Sequence, residues 1–401
     1  MTLSGPDMRR RLRAAWWGTV VLFLIHGLVV STWISRIPAV KAALRLNDAV
    51  LGLALLGMAV GAVCTIPVAG WLIGRFGSKK TSITASLVFC CSVILPAFAS
   101  NALSLAVALL VFGAAAAAMD VSMNAQGVEV EKGLGMPTMS RFHGMFSLGG
   151  MVGAGIGGFI ARRGIAPLPH FGVSAAINAA AVLLIARLLL NSRAHEEAGE
   201  HRLPITQIPR VLLALSAIGF CILLAEGAMA DWTALYLKQI LNADAGTAAA
   251  GYAVFSAAMA LFRFLGDLIT ARLGPMRTVR DGSLVAALGL MWALSMHAPG
   301  WALPGFAAAG AGFSVIIPLV FGSGGRVEAV SPGAGIATVT GIGYLGFIVG
   351  PPAIGFASQL FTLRYALGVV VACCLLTTLL SGYMRALKPM GTSEAVTELH
   401  L

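Results

Sequence analysis

The chain has 401 residues, of which 11% are charged and 58% hydrophobic, against about 25% charged in ordinary soluble domains. That composition cannot build the polar surface of a water-soluble protein this long, so a soluble globular fold is excluded and lipid is the expected solvent. The net charge of +11 does not indicate nucleic acid, because the basic residues punctuate apolar runs in ones, twos and fours, the pattern of topogenic charge facing an anionic membrane leaflet.

In chain order, Arg9, Arg10, Arg11 and Arg13 precede an apolar run over 14–35. It is too long for the apolar core of a cleaved signal peptide, so it is expected to stay as a first transmembrane helix. It carries His26 near its middle and Trp33 near its end. Further runs long enough to span a bilayer lie at 49–73, 81–99, 103–127, 141–161 and 170–190. The stretch from Asn191 to Arg210 is the most polar between runs. After it come 208–231, 246–270, 279–297, 301–322, 336–359 and 363–384, which makes twelve. The expected organisation is a six-helix half over 1–190, a cytoplasmic linker over 191–207, and a second six-helix half over 208–401 with a short cytoplasmic tail. Placing the termini inside puts twenty Lys and Arg residues on the cytoplasmic side and seven on the other, and that asymmetry sets the orientation.

The six cysteines, Cys64, Cys90, Cys91, Cys221, Cys373 and Cys374, all fall in apolar runs without metal-ligand spacing. They read as small packing residues, so no metal and no cofactor are expected. No phosphate-binding loop and no nucleophile–base constellation occurs, which argues against direct ATP drive and against an enzyme.

A repeat crosses the polar midpoint. Arg75 and Gly77 match Arg272 and Gly274 at a shift of 197, and Gly149, Gly153 and Gly158 match Gly346, Gly350 and Gly355 at the same shift. Gly27 and Trp33 find mates in Gly227 and Trp232 at 200 and 199. Parallel repeats of this kind are the architecture of two-domain alternating-access proteins.

Ionisable residues inside apolar runs are costly and point to function. His26 lies in the first run, Asp120 and Asn124 in the fourth, Glu226 in the seventh, and Arg141 with His143 opens the fifth. Asp120 and Asn124, four apart, share a helix face. A carboxylate in such a place suits a group that gains and loses a proton each cycle. Trp33, Trp232, Tyr236 and Tyr344 offer aromatic faces, and Asn124 and Gln126 offer amides for hydroxyls. Trp33 and Trp232, near helix ends, equally suit an interfacial aromatic belt.

The stretch "GWLIGRFGSKK" resembles the loop signature of the major facilitator superfamily: Gly70, Arg75, Gly77, Lys79 and Lys80 match it, while Gly74 stands at the acidic position. In the second copy, "RFLGDLITARLG", Asp267 lies one turn before Arg272 and Gly274 and is available as the acid of that half. "SRFHGMFSLGG" and "VSMNAQGVEVEK" further resemble the bacterial MosC-like branch, named for uptake of inositol-derived rhizopines. The resemblance implies an all-α membrane fold of twelve helices in two six-helix repeats. It places helices one, four, seven and ten around a central cavity, and makes the loop cluster a latch on the cytoplasmic side, with Gly70 and Gly74 allowing close helix approach. It also implies a proton-coupled symporter of a sugar, polyol or related small solute, monomeric among the lipids of the bacterial inner membrane. The alternatives are a drug/proton antiporter or a non-transporting sensor on the same fold. Antiporters of that type carry a Gly-Pro pair in helix five, whereas Gly350-Pro351 lies in helix eleven here.

Overall fold

The computed structural model describes residues 5–136, 138–191, 208–328 and 330–386, and among these every regular element is helical. The expected linker, apart from Asn191, and the tail beyond residue 386 lie outside the described residues. The first six crossings are α1 (Gly5–Ile34) continued by α2 (Ile37–Ala43), α3 (Asp48–Phe76), α4 (Ser78–Ser92), α5 (Ala102–Leu134), α6 (Met139–Arg162) and α7 (Pro167–Ile185). The last six are α8 (Arg210–Gln239), α9 (Ala245–Phe264) with α10 (Gly266–Leu273), α11 (Pro275–Ser295), α12 (Pro299–Phe313) with α13 (Ile316–Gly324), α14 (Pro332–Leu360), and α15 (Leu363–Ala366) with α16 (Gly368–Leu380).

Eleven of these crossings are long and apolar enough to span a membrane by composition. The remaining one, α11, carries Arg277, Arg280 and Asp281 in its first two turns, yet its 21 residues reach about 31 Å at the helical rise, enough to cross. Helices are the natural solution, because lipid offers backbone groups no partner. Their ends are closed by local chemistry. Asn47 accepts from the Val50 N–H at 2.8 Å, Asn101 and Ser104 form a reciprocal capping box, and Glu131 at the end of α5 accepts from the backbone of Thr138 and Met139 to start α6. Gly77 and Gly274, repeat mates, have φ +85 and +77 and turn the chain at equivalent places, between α3 and α4 and between α10 and α11, in a region that side chains avoid.

The repeat is visible in the packing. A side chain at Gly149 would strike the Leu24 carbonyl of α1, and one at Gly346 would strike the Phe220 carbonyl of α8, so α6 lies on α1 as α14 lies on α8. Contacts between the repeats run along two seams. On one, α6 meets α9, with Gly144 against Phe264, Gly150 against Ser256 and Gly158 against Ala249. On the other, α3 meets α14, where Gly52 and Gly355 approach backbone to backbone.

Candidate functional site

Two crossings of the second repeat are broken at one level. α9 gives way to α10 at Leu265, and α12 to α13 at Ser314–Val315. The breaks face each other, since a Cβ at Gly266 would enter the Val315 side chain. A break of this kind frees carbonyls from the helical ladder. Arg263 takes one: its Nε donates to the Ser314 carbonyl at 3.1 Å. Its Nη1 reaches the other repeat, donating to Ser147 Oγ at 2.7 Å and to the His143 carbonyl at 3.4 Å. The planar, multi-donor fork of arginine makes this three-way tie possible.

Around it lie the charged and polar groups of the membrane interior. Arg263 acts electrostatically on Glu226 and on His143, which also feels His26. Tyr252 feels Glu226, Arg263 and Asp231, and Tyr344 feels Asp120 and Glu226. One neighbourhood therefore draws on α1, α5, α6, α8, α9 and α14. Glu226 Oε1 is buried without a hydrogen-bond partner among the described residues. Asn124 is turned back on its own helix, donating to the Asp120 carbonyl at 2.9 Å and to its Oδ1 at 3.2 Å. His26 packs between Phe89 and Phe146, with ring centroids 5.0 and 5.3 Å away, and has only an off-geometry contact with the Ala116 carbonyl.

At the face opposite the termini, here the distal face, the repeats are tied. Asp48 at the head of α3 holds Lys41 and accepts from Ser358 of α14. Arg162 at the end of α6 pairs at 3.2 Å with Asp244 at the head of α9. Asp244 also caps α9 through the Gly246 and Thr247 N–H groups and accepts from the Thr247 hydroxyl. These bonds, the Thr247 hydroxyl first, bring its pKa from 3.8 down to about 2.

A family model for the Major Facilitator Superfamily matches residues 18–327. The chain belongs to that superfamily. It is 38% identical over 355 residues to an uncharacterized MFS-type transporter of Yersinia pestis, covering 88% of this chain and 91% of that one. It is 34% identical over 360 residues to the membrane protein MosC of Rhizobium meliloti, covering 88% and 87%, which puts it in the MosC-like branch. A solved D-xylose-proton symporter superposes with TM-score 0.72 at 14% identity, covering 94% of this chain and 98% of that one, a likeness of fold.

Within this MFS fold, several side chains singled out from the sequence sit elsewhere than expected. Arg141 is exposed at the start of α6 and takes no part in the central cluster, since helical periodicity turns His143 and Ser147 inward instead. Trp33 is 1% exposed and packs on Phe171 within its own repeat, and Trp232 is 0% exposed, so neither forms a belt or lines an open path. Gln126 is fully buried, bonded to Ser78 and to the Leu190 backbone, and serves packing. Tyr236 donates to the Ala293 carbonyl. Asp231 of α8 belongs to the Tyr252 neighbourhood. Arg263 was countable only as one more cytoplasmic cation, and its position inside the 246–270 run is the signal that could have marked it.

The superfamily loop is disengaged in this state. A methyl group added at Gly70 or Gly74 would meet nothing within 4 Å, and the same holds at Gly341 on α14, so the expected close approach there is absent while the distal ends of the same two helices touch. Arg75 stacks on Trp71 and Phe76 of its own helix at 5.7 and 5.6 Å. Lys79 is half-buried, and Lys80 and Arg272 are exposed. Asp267 receives a long 3.4 Å bond from Ser140 of the other repeat, a contact across the seam in place of one within its own loop.

Proposed function

We propose that this MFS transporter is a secondary active transporter of a small polar solute (a sugar, a polyol or a related compound), that it is driven by protons, and that it works by alternating access. The observation carrying the reading is the central cluster. Glu226 lies beside Arg263, which itself bridges the repeats, while Asp120 of the first repeat shares the surroundings of Tyr344 with Glu226 and Asp231 shares those of Tyr252. Each ionisable group at mid-membrane costs about 2.5 to 3.5 kcal/mol on insertion scales, so a cluster of four calls for a role beyond packing. Glu226 and Asp120 are the proton-carrying candidates, and Tyr344 and Asn124, beside the same carboxylates, are the candidates for contacting the solute. The distal ties, together with the open space that a side chain at Gly70, Gly74 or Gly341 would enter, support a reading in which this state is closed at the distal face and open at the terminal one. The Lys and Arg asymmetry makes the terminal face cytoplasmic, in a bacterial inner membrane. The six-helix halves over 1–190 and 208–401 are the rocking units, joined by the 191–207 linker, and the functional unit is a monomer in lipid without cofactor.

The test is uptake into proteoliposomes across an imposed pH gradient, screening sugars, polyols and their amines after a thermal-shift screen on purified protein, since native-state ligands raise apparent stability. Accumulation that collapses with a protonophore supports the reading. Solute-driven proton movement in the opposite sense would indicate antiport, and binding without any flux would indicate a sensor.

A further inference from the structure

Away from the central cluster, a cavity of about 270 Å³ opens at the distal seam between the repeats. Ser35, Arg36, Ala166 and Pro167 line it from the first repeat, and Lys238 and Ala245 from the second. No carboxylate lines it. Arg36 is 3% exposed. One of its guanidinium nitrogens donates to the Ile165 carbonyl, while Nε and Nη1 have no partner among the described residues. His170 feels the charge of Arg36, and its Nδ1 is buried without a partner as well. The cavity also borders the start of α7, where Ala166 provides no side-chain cap and the positive end of the helix dipole lies. The nearest acids of this face are committed elsewhere: Asp48 to Lys41 and Ser358, Asp244 to Arg162 and Thr247.

A buried guanidinium with vacant donors is an uncompensated charge and an unsatisfied hydrogen-bonding group at once. An oxyanion repairs both, through charge-assisted bonds that arginine makes well. We propose that this cavity binds a small oxyanion, a phosphate- or carboxylate-type group, between Arg36 of the first repeat and Lys238 of the second. Because its two cations belong to different repeats, the bound anion ties the distal ends together and favours the closed distal face, as any ligand favours the state that binds it better. The oxyanion is either a free solute or the phosphate of a lipid headgroup. The site is separate from the proton-carrying cluster and does not depend on which residue there titrates.

The experiment uses the full chain, purified in a neutral, phosphate-free detergent. Thermal unfolding is followed while sodium phosphate is titrated against sodium chloride at matched ionic strength, and in parallel while phosphatidylglycerol is titrated. Phosphate should raise the melting temperature beyond the chloride control. Lys238→Ala should need about two- to fivefold more phosphate for the same shift, the range expected for one partly exposed ion pair. Arg36→Gln, or Lys238→Glu should Arg36→Gln fail to fold, should abolish the phosphate-specific shift. Spin labels on the exposed Ala42 and Asn242 should show the short-distance population growing with phosphate. A headgroup source predicts stabilisation by phosphatidylglycerol that phosphate competes away, and a free-solute source predicts none. Equal responses to phosphate and chloride with no lipid effect, or a Lys238→Glu variant that responds like wild type, overturns the site, and unchanged label distances at saturating phosphate overturn the tie between the repeats.

Discussion

Glu226 and Asp120 differ from the other polar residues of the interior in that a neutral isostere keeps their shape and removes only their titration. Glu226→Gln should therefore abolish concentrative uptake under a pH gradient and leave binding or solute exchange largely intact, with Asp120→Asn testing the same role. Proteoliposome flux measured both ways checks this, and normal accumulation by both variants removes both from the proton path. Arg263 is subject to a different substitution. A lysine in its place would keep the charge, but one ammonium cannot span Ser147 and Ser314 together as the fork does. Arg263→Lys is therefore expected to lower turnover at least about tenfold while the protein still folds and inserts, the factor that about 1.4 kcal/mol represents. At the distal face Asp244 is held at about 2 against 3.8, so its stabilising contribution is complete above about pH 4 and fades as pH falls toward about 2. The pH profile of transport between about 5 and 8 should then be unchanged in Asp244→Asn, and a shifted profile would give Asp244 a titrating role. From sequence alone Glu226 and Asp120 stood out because carboxylates are rare in apolar runs. Arg263 did not, because a lone cation near the end of a run looks like a topogenic charge until a break in the facing helix supplies its acceptor.

Among the elements, the glycine-rich faces of α6 and α14 carry the clearest consequence of the repeat. Both Gly153/Gly350 and Gly158/Gly355 are repeat mates, and the repeat alone would put both pairs on a moving interface. In the structure Gly153 faces Ser31 and Leu28 of α1, and Gly350 faces Leu224 of α8, each inside its own repeat, whereas Gly158 faces Ala249 and Gly355 faces Gly52 across the seams. The reason is helical: five residues turn a helix by about 140° beyond a full turn, so positions five apart look in different directions. Gly158→Leu or Gly355→Leu should open the distal seam and trap the opposite access state, because overpacking costs about 1–3 kcal/mol and access states differ by only a few. Gly153→Leu or Gly350→Leu should lower thermal stability without such a shift. Distances between spin labels across the distal face, paired with melting temperatures, separate the two outcomes. Twelve crossings were legible as apolar runs, and Gly77 and Gly274 as repeat mates. The breaks at Leu265 and Ser314 were not, since in lipid a break needs only a neighbour that accepts the freed groups, and that neighbour is distant in sequence.

For the molecule as a whole, two seams and one disengaged loop define what has to change during a cycle. Along α6–α9 the repeats are in contact from Gly144 to Gly158, and α3 and α14 approach backbone to backbone at Gly52 and Gly355, while a side chain at Gly70, Gly74 or Gly341 would meet open space. On the proposed alternating-access reading, closing the terminal face brings the Gly70 and Gly74 side of α3 toward a partner helix, where bare glycine faces permit close approach. Arg75 at the end of α3 is exposed and, among the described residues, meets only the rings of Trp71 and Phe76, so on the proposed reading its guanidinium has bonding capacity to offer in the terminal-closed state. Arg75→Ala should accordingly leave the distal ties and membrane insertion intact, destabilise the terminal-closed state alone, and move the population further toward the terminal-open form. A loss of about 1.4 kcal/mol in the closed state changes the ratio tenfold, so turnover should slow because the return step becomes rare. Cysteines placed at the exposed Gly341 and Trp71 should label faster from the terminal face in the variant than in wild type, and label pairs across that face should lose their short-distance population. Equal labelling rates in a variant that transports normally would assign Arg75 to topology alone and leave terminal closure to the glycine faces.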